Sequence, residues 1–190
     1  MWRRLFPLHC PSCNEPCTGR CVSCWDTFAP PPVLLAPVGV DTLWSAFAYD
    51  GRVRNLVLAA KATPSHGWLE VMADALAGVA EDRVVAWPTG SAEHRRRRGY
   101  DPAERLARRY ARRHGLLAVD VLRRYGGAQE GRSAAERASL RFVAKRSMSG
   151  LSVVVIDDVV TTGASMGSAA AALREAGATS VDGLAFARRP

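Results

Sequence analysis

Two groups of residues in this chain have types and spacings that could do chemistry. The first is the stretch Val153-Val-Val-Ile-Asp-Asp-Val-Val-Thr-Thr-Gly-Ala-Ser165. Its adjacent carboxylates, Asp157 and Asp158, can accept hydrogen bonds from two neighbouring hydroxyls or hold Mg2+ through oxygen. Thr161, Thr162 and Ser165 supply hydroxyl donors, and Gly163, followed by the small Ala164, lets backbone approach an anion. Acids for sugar hydroxyls and a turn for a phosphate together suit a sugar phosphate. The plainer alternative is an acidic pair that only solvates the end of a strand; the order of the whole stretch favours the site.

The second group is the five cysteines, Cys10, Cys13, Cys17, Cys21 and Cys24. Cys10/Cys13 and Cys21/Cys24 are Cys-x-x-Cys pairs, each able to turn two thiolates toward one ion. Four thiolates make a closed structural Zn2+ site. Cys17 is the spare, able to replace a neighbour, and His9 is a weaker substitute. An odd count and an expected cytoplasmic setting disfavour a disulfide framework. A redox motif would normally occur once, at a helix start.

Certain elements must position these groups. Val153–Ile156 is an unbroken β-branched run, suited to a strand buried on both faces, with the two acids standing at its end. Met166–Glu175 reads as a helix whose unpaired first amides and dipole face the hydroxylated turn. Arg83–Trp87 reads as a second buried strand, ending at Pro88. The turn Pro88-Thr89-Gly90-Ser91 could offer backbone N–H groups to an anion, or be only a turn.

His94 to Tyr100 is the densest positive charge, with Arg95–Arg98 ahead of a helix that Asp101 caps, Pro102 opens and Gly115 ends. That helix turns Leu106 and Tyr110 inward and carries Arg105, Arg108, Arg109, Arg112 and Arg113 mostly outward. Upstream, Trp44, Phe47 and Tyr49 precede a turn at Asp50-Gly51. The spacing of Val53, Leu56, Val57 and Ala60 predicts a helix carrying Lys61, stopped by Pro64 and Gly67. A further helix is expected over Trp68–Ala80, with strands at Leu116–Leu122 and Val181–Ala187. Gly126–Ser149 lacks long apolar periodicity and reads as a flap, with a short helix at Ser133–Leu140. Strand, helix, strand, flap, strand, helix, strand implies an α/β fold with a parallel sheet. Ligands of such sheets sit beyond the carboxyl ends of the strands.

Composition sets the outer limits. At 190 residues, 48% apolar and 23% charged, the chain suits one well-buried α/β core with a small appendage. No run of about 18 apolar residues exists, so no membrane insertion is expected. The start, Met1 to Cys10, breaks at Pro7 before a signal-peptide apolar region forms, which implies a cytoplasmic protein. The formal charge of +8 is nearly all guanidinium, since Lys61 and Lys145 are the only lysines. Such an excess permits polyanion binding without demonstrating it. The expected division is a zinc-ribbon module at 1–30, a proline-stiffened linker at 31–40 that includes Pro32 and Pro37, and the main domain at 41–190.

The stretch Asp157–Ser165 resembles the phosphoribosyl-pyrophosphate (PRPP) signature of type I phosphoribosyltransferases. The chain as a whole resembles the ComF family of phosphoribosyltransferase-like proteins. That likeness covers the cysteine ribbon, Tyr49-Asp50-Gly51 through Lys61, Pro88 with Arg98-Gly99-Tyr100, Gln129 through Arg137, and the acidic signature. The resemblance implies a type I phosphoribosyltransferase fold beside an N-terminal zinc ribbon with four cysteine ligands. It implies that Asp157 and Asp158 take the ribose 2′ and 3′ hydroxyls, that Thr161–Ser165 hold the 5′-phosphate, and that Mg2+ accompanies PRPP. Thr89, Gly90 and Ser91, with Arg96, Arg98 and Lys61, then face the pyrophosphate. The acceptor is unsettled. The family is linked to DNA uptake during natural competence, alongside a helicase-like partner. Two alternatives follow: a non-catalytic component contacting single-stranded DNA or the helicase, and a PRPP- or nucleotide-sensing regulator. Two departures from the family pattern stand out, Ala86-Trp87-Pro88 in place of Pro-Val-Pro and Leu140 in place of an asparagine.

Overall fold

Four consecutive β-branched residues cannot bury both faces on a lone strand, and here they form the centre of a sheet. The computed structural model describes residues 8–31, 33–62, 67–79, 82–125 and 141–189. In chain order the elements are β1 (Leu8–His9), β2 (Pro16–Cys17), α1 (Val22–Trp25), β3 (Leu43–Ala48), α2 (Gly51–Ala62), α3 (Trp68–Ala75), β4 (Arg83–Ala86), α4 (Ala92–Arg98) and α5 (Pro102–His114). They continue as β5 (Leu117–Ala118), β6 (Leu122–Tyr125), β7 (Arg141–Ala144), β8 (Ser152–Val160), α6 (Ala164–Glu175) and β9 (Ser180–Arg188).

The main sheet has five strands in the order β3-β9-β8-β4-β5, and each neighbouring pair is parallel. Val153 to Ile156 of β8 are fully buried. One face of the sheet packs on α2, α3 and α5 through Val154, Ile156 and Phe186; the other packs on α6 and Phe142 of β7 through Val153 and Val155. The α/β expectation therefore holds. The crossover after β4 runs toward one sheet edge and the crossover after β8 toward the other. The switch point lies between these two strands, where the crevice of an open α/β sheet forms.

Several elements depart from the sequence reading, each for a physical reason. The acids do not end their strand, because β8 stays paired with β9 as far as Val160↔Arg188. Its pairing with β4 stops at Ala86↔Val155, since Pro88 has no N–H to carry the ladder on. Asp157 and Asp158 thus lie on a strand with one side uncovered. The edge strand β3 had no clear period because it is only half-buried along its length. The expected strand 116–122 is split: Leu117–Ala118 joins the main sheet, while Leu122 opens an antiparallel ribbon with β7. Helix α3 stops at Ala75, where Leu76 turns extended. Arg95–Arg98 form most of a separate helix, α4, capped by Ser91 and ended by left-handed Gly99. The expected short helix at 133–140, the Gln129–Arg137 part of the family likeness and the substituted Leu140 lie outside the described residues, as do Pro32, Pro64 and Ala80.

The chain between the cysteines and β3 lies bound across the sheet rim. The Arg188 guanidinium donates to the carbonyls of Leu34 at 3.1 Å and Leu35 at 2.5 Å, and Arg174 Nε donates to Gly39 O at 2.9 Å. The cysteine-bearing segment is anchored by aromatic packing: Trp25 meets Phe47 edge-on at 5.0 Å, and Phe47 meets Phe186 of β9 at 5.5 Å. Among the described residues no helix is long and apolar enough to cross a membrane.

Candidate functional site

The crevice is built by three segments that meet at the switch point. The first is the end of β8. Its alternation sends Asp158 toward the α2–α5 face, where it is 7% exposed, and Asp157 toward α6. The backbone N–H of Asp158 donates to Asp157 Oδ1 at 2.8 Å. Burial pushes the Asp157 carboxyl well above the usual carboxylate range; the charge of Asp158 adds to this, and the Asp158 amide and Lys61 oppose it.

The second is the C-terminal end of α2. Asp50 Oδ1 caps this helix by accepting from the amides of Arg52 and Val53, both at 3.0 Å. Val53, Leu56, Val57 and Ala60 bury its inner stripe, which brings Lys61 over the sheet. Lys61 Nζ lies 2.8 Å from Asp158 Oδ2. The Tyr100 hydroxyl is placed between the carbonyls of Ala60 at 2.9 Å and Lys61 at 2.7 Å, fixing the last turn of α2. Burial pushes the Tyr100 phenol up.

The third is the turn after β4. Asp101, 4% exposed, accepts from the amides of Ala103 and Glu104 at the start of α5 and, through Oδ2, from Gly90 N at 2.7 Å. Burial raises the Asp101 carboxyl, against those three amide donors. The N–H of Gly90 is therefore directed at Asp101. Thr89 is engaged too, its hydroxyl donating to Leu122 O at 2.7 Å, and Ser91 Oγ accepts from His94 N to cap α4. The turn is held from both sides, which fixes its shape.

Between these segments lies a cleft of ≈150 Å3 whose lining includes Lys61, Thr89, Gly90, Arg98, Asp157, Asp158 and Ser165. A smaller cup adjoins it, formed by Asp157 and the run Val159–Met166, so the two hollows share Asp157 and Ser165. The cup contains Thr161, Thr162, Gly163 and Ala164. Gly163 adopts φ +77° at the start of α6, and a Cβ there would come within 2.6 Å of Pro37 Cγ. Glycine is required both for the turn and for the close pass of the bound strap. The first amides of α6 have no acceptors within the helix and open toward this cup.

The structure thus brings together Asp157, Asp158, Lys61, Arg98, Thr89, Gly90 and the turn 161–165. Ser91 lies at the neighbouring edge, on a basin it shares with Arg95 and Arg124. Arg96 is exposed on α4 and lines neither the cleft nor the cup. Helical periodicity explains the split, because a run of four arginines spreads around a helix and only some of them face one hollow. Sequence reasoning passed over Arg124 and Phe142, which line the cleft from β6 and β7, and the clamping role of Asp101. The Asp-Pro cap was legible, but nothing local connects Asp101 to Gly90.

The cysteine cluster is a second, separate site. The Sγ atoms of Cys10 and Cys24 are 3.7 Å apart, as are those of Cys13 and Cys21, and all four lie within 4.8 Å of one another. A tetrahedron with Zn–S of about 2.3 Å has edges of about 3.8 Å, so the donor set fits zinc. The Ser12 amide donates to Cys10 Sγ at 3.4 Å, orienting that thiolate. Burial pushes the Cys24 thiol far up, and the thiols of Cys13, Cys10 and Cys21 add to it. A divalent cation relieves that repulsion. Cys17 and His9 stand outside the cluster.

Among curated proteins, none matches the chain. Similar solved structures include the allosteric regulatory enzyme of purine biosynthesis (22% identity, 62% of this chain and 24% of that one, TM-score 0.43). Another is glutamine PRPP amidotransferase from B. subtilis complexed with ADP and GMP (26%, 62% and 25%, 0.44). A third is an adenine phosphoribosyltransferase (17%, 74% and 71%, 0.37). The chain spans about a quarter of the length of the first two, with 24% and 25% of each covered. The phosphoribosyl transferase domain family matches residues 96–190, which include the turn after Asp158 and the arginines of α4 from Arg96 onward. With that half of its length matched, the chain belongs to the phosphoribosyl transferase domain family, and membership implies a pocket for PRPP.

Proposed function

We propose that this protein binds PRPP with Mg2+ in the switch-point crevice and transfers its phosphoribosyl group to a nitrogen nucleophile, as a ComF-type phosphoribosyltransferase. The observation that carries this reading is the meeting of Asp157, Asp158 and Lys61 with the hydroxylated turn 161–165 in two adjoining hollows. Thr161, Thr162, Gly163, Ala164 and Ser165 with the first amides of α6 take the 5′-phosphate. Asp157 and Asp158 take the ribose hydroxyls and ease the positive charge that builds on the ring. Pyrophosphate lies toward Thr89–Ser91, where Lys61 and Arg98 balance its charge; Arg96, on the same helix but lining neither hollow, is the outer member of this basic set.

The donor set fits Mg2+. Two adjacent carboxylates supply the hard oxygens that Mg2+ takes, one oxygen of Asp158 being engaged by the Lys61 ammonium. When bound there with PRPP, Mg2+ supplies neutralisation of the leaving pyrophosphate. Every other task belongs to the chain: orienting the ribose, fixing the turn after β4 through Asp101, and keeping the Lys61 ammonium within reach of Asp158.

The test is calorimetric binding of PRPP with Mg2+, followed by pyrophosphate release across a panel of bases and amines. Binding that Asp157→Asn/Asp158→Asn leaves unchanged would refute the site. Binding without release for any acceptor would leave a PRPP-sensing regulator.

A second reading, a DNA-uptake component that contacts single-stranded DNA or a helicase-like partner, is favoured by one observation. The arginines of α5 are mostly engaged: Arg108 with Glu104, Arg109 with Glu70, Arg113 with Asp74, and Arg105 over the Tyr100 ring. Arg95, Arg96 and Arg97 of α4 have no acidic partner among the described residues. Under this reading, affinity for single-stranded DNA falls steeply with added salt. A salt-insensitive or absent interaction counts against it.

A further inference from the structure

Beside the crevice, and sharing Lys61 with it, lies a separate open depression of ≈460 Å3. Its lining is Leu58, Lys61, Ala62, Arg97, Arg98 and Tyr100. It shares Lys61 and Arg98 with the crevice, so an occupant would adjoin whatever sits over Asp158. The composition of its lining is unusual for this molecule. Leu58 is 42% exposed on a helix whose other face is fully buried, and Tyr100 supplies an aromatic part of the same lining. The rim carries three cations and no carboxylate. Lys61 is paired with Asp158, whereas Arg97 and Arg98 have no acidic partner among the described residues.

The wall is also fixed in advance. Tyr100 is tethered through its hydroxyl to the carbonyls of Ala60 and Lys61, and the Arg105 guanidinium lies 4.5 Å over its ring. Left-handed Gly99 ends α4 just before it, setting Arg97 and Arg98 beside it. An apolar and aromatic surface rimmed by guanidinium groups matches a flat ring that bears a carboxylate, because guanidinium pairs with carboxylate through two parallel hydrogen bonds.

We propose that this depression receives the acceptor, and that the acceptor is a small planar nitrogen nucleophile carrying a carboxylate. This rests on the phosphoribosyl-transfer reading above. The ring lies against Leu58 and Tyr100, and Arg97, which lines this depression and not the crevice, holds the carboxylate. The nitrogen lone pair forms the bond to C1 of PRPP while the C1–O bond breaks, its electron pair leaving with pyrophosphate. The proton displaced from the nitrogen passes to the released pyrophosphate.

The experiment uses matched probes that differ only in charge: 2-aminobenzoate against 2-aminobenzamide, and uracil-6-carboxylate against uracil. Each is offered to the full zinc-loaded chain with PRPP and Mg2+. Pyrophosphate release and calorimetric binding of the probe are both measured, after PRPP binding has been measured alone. The carboxylate member of at least one pair is expected to be preferred by about tenfold or more. Arg97→Gln should cut that preference to below about threefold, while Arg112→Gln, an equal charge change on exposed α5, leaves it intact. Equal use of neutral and charged members overturns the proposal, as does a preference that survives Arg97→Gln. If PRPP binds but no probe of either kind binds or reacts, the acceptor assignment falls and the PRPP site stands. If PRPP itself does not bind, both fall.

Discussion

The thiolate cluster and the acidic crevice are built on opposite plans. The four cysteines lie between Cys10 and Cys24, and their geometry is set by two tight turns and one helical turn. The crevice draws on Lys61, Thr89, Gly90, Arg98 and Asp157–Ser165, and depends on sheet register and on where β4 stops. One centre is held by local covalent reach together with the metal it fits; the other is held by the folded core. Losing the metal should therefore undo the first and spare the second, whereas a change in the acids should do the reverse.

The largest effect should come from the metal. Structural zinc in small domains contributes on the order of 10 kcal/mol, so chelation or Cys24→Ser should unfold the ribbon and abolish the near-ultraviolet signal of Trp25. PRPP affinity is expected to stay within about tenfold of the wild type, a change of about 1.4 kcal/mol. A collapse of PRPP binding along with zinc loss would join the two centres.

Next in size is Asp157→Asn/Asp158→Asn, expected to weaken PRPP binding by about 100-fold or more, since hydrogen bonds to charged groups contribute about 1.5–3 kcal/mol each. Zinc content, read by metal analysis, should be unchanged.

Gly163→Ala tests the strap that links the two regions. Its φ of +77° and the 2.6 Å approach to Pro37 predict a loss of more than about 1 kcal/mol in denaturant unfolding. Wild-type stability in the variant would mean that the strap yields freely.

The smallest effect concerns pH. Asp157 holds its proton more tightly in the folded chain than in the unfolded one. The stability this contributes is complete below the ordinary carboxylate range, about pH 4, and is lost as pH rises through the raised native value. Asp157→Asn has no such proton to lose, so its melting temperature relative to wild type should rise between about pH 4 and pH 7. A constant offset would remove Asp157 as the titrating group.

Much of the chemistry was legible from residue type. The cysteine spacing carries its own geometry, and among the described residues no other thiolate or imidazole joins the four that were expected. Val153–Ile156 announced a central strand, because only burial on both faces accounts for such a run. The Asp101-Pro102 start and Gly115 stop of α5 were equally plain. Illegible were β3, whose half-exposed edge mixes apolar and polar positions without a period, and the split of 116–125 between two sheets. Arg95–Arg98 were legible only as charge ahead of a helix, because no apolar residue interrupts the run to reveal a helical face of its own.

The sequence by itself determined which groups exist and which local turns they adopt, since capping, thiol spacing and β-branching act over a few residues. Only the tertiary structure decided which groups meet. The Lys61–Asp158 contact, the Asp101 clamp on Gly90, the Pro37 strap over Gly163 and the presence of Arg98 rather than Arg96 in the cleft lining all depend on register and helix rotation. Those are properties of the packed core as a whole, and no short stretch of chain encodes them.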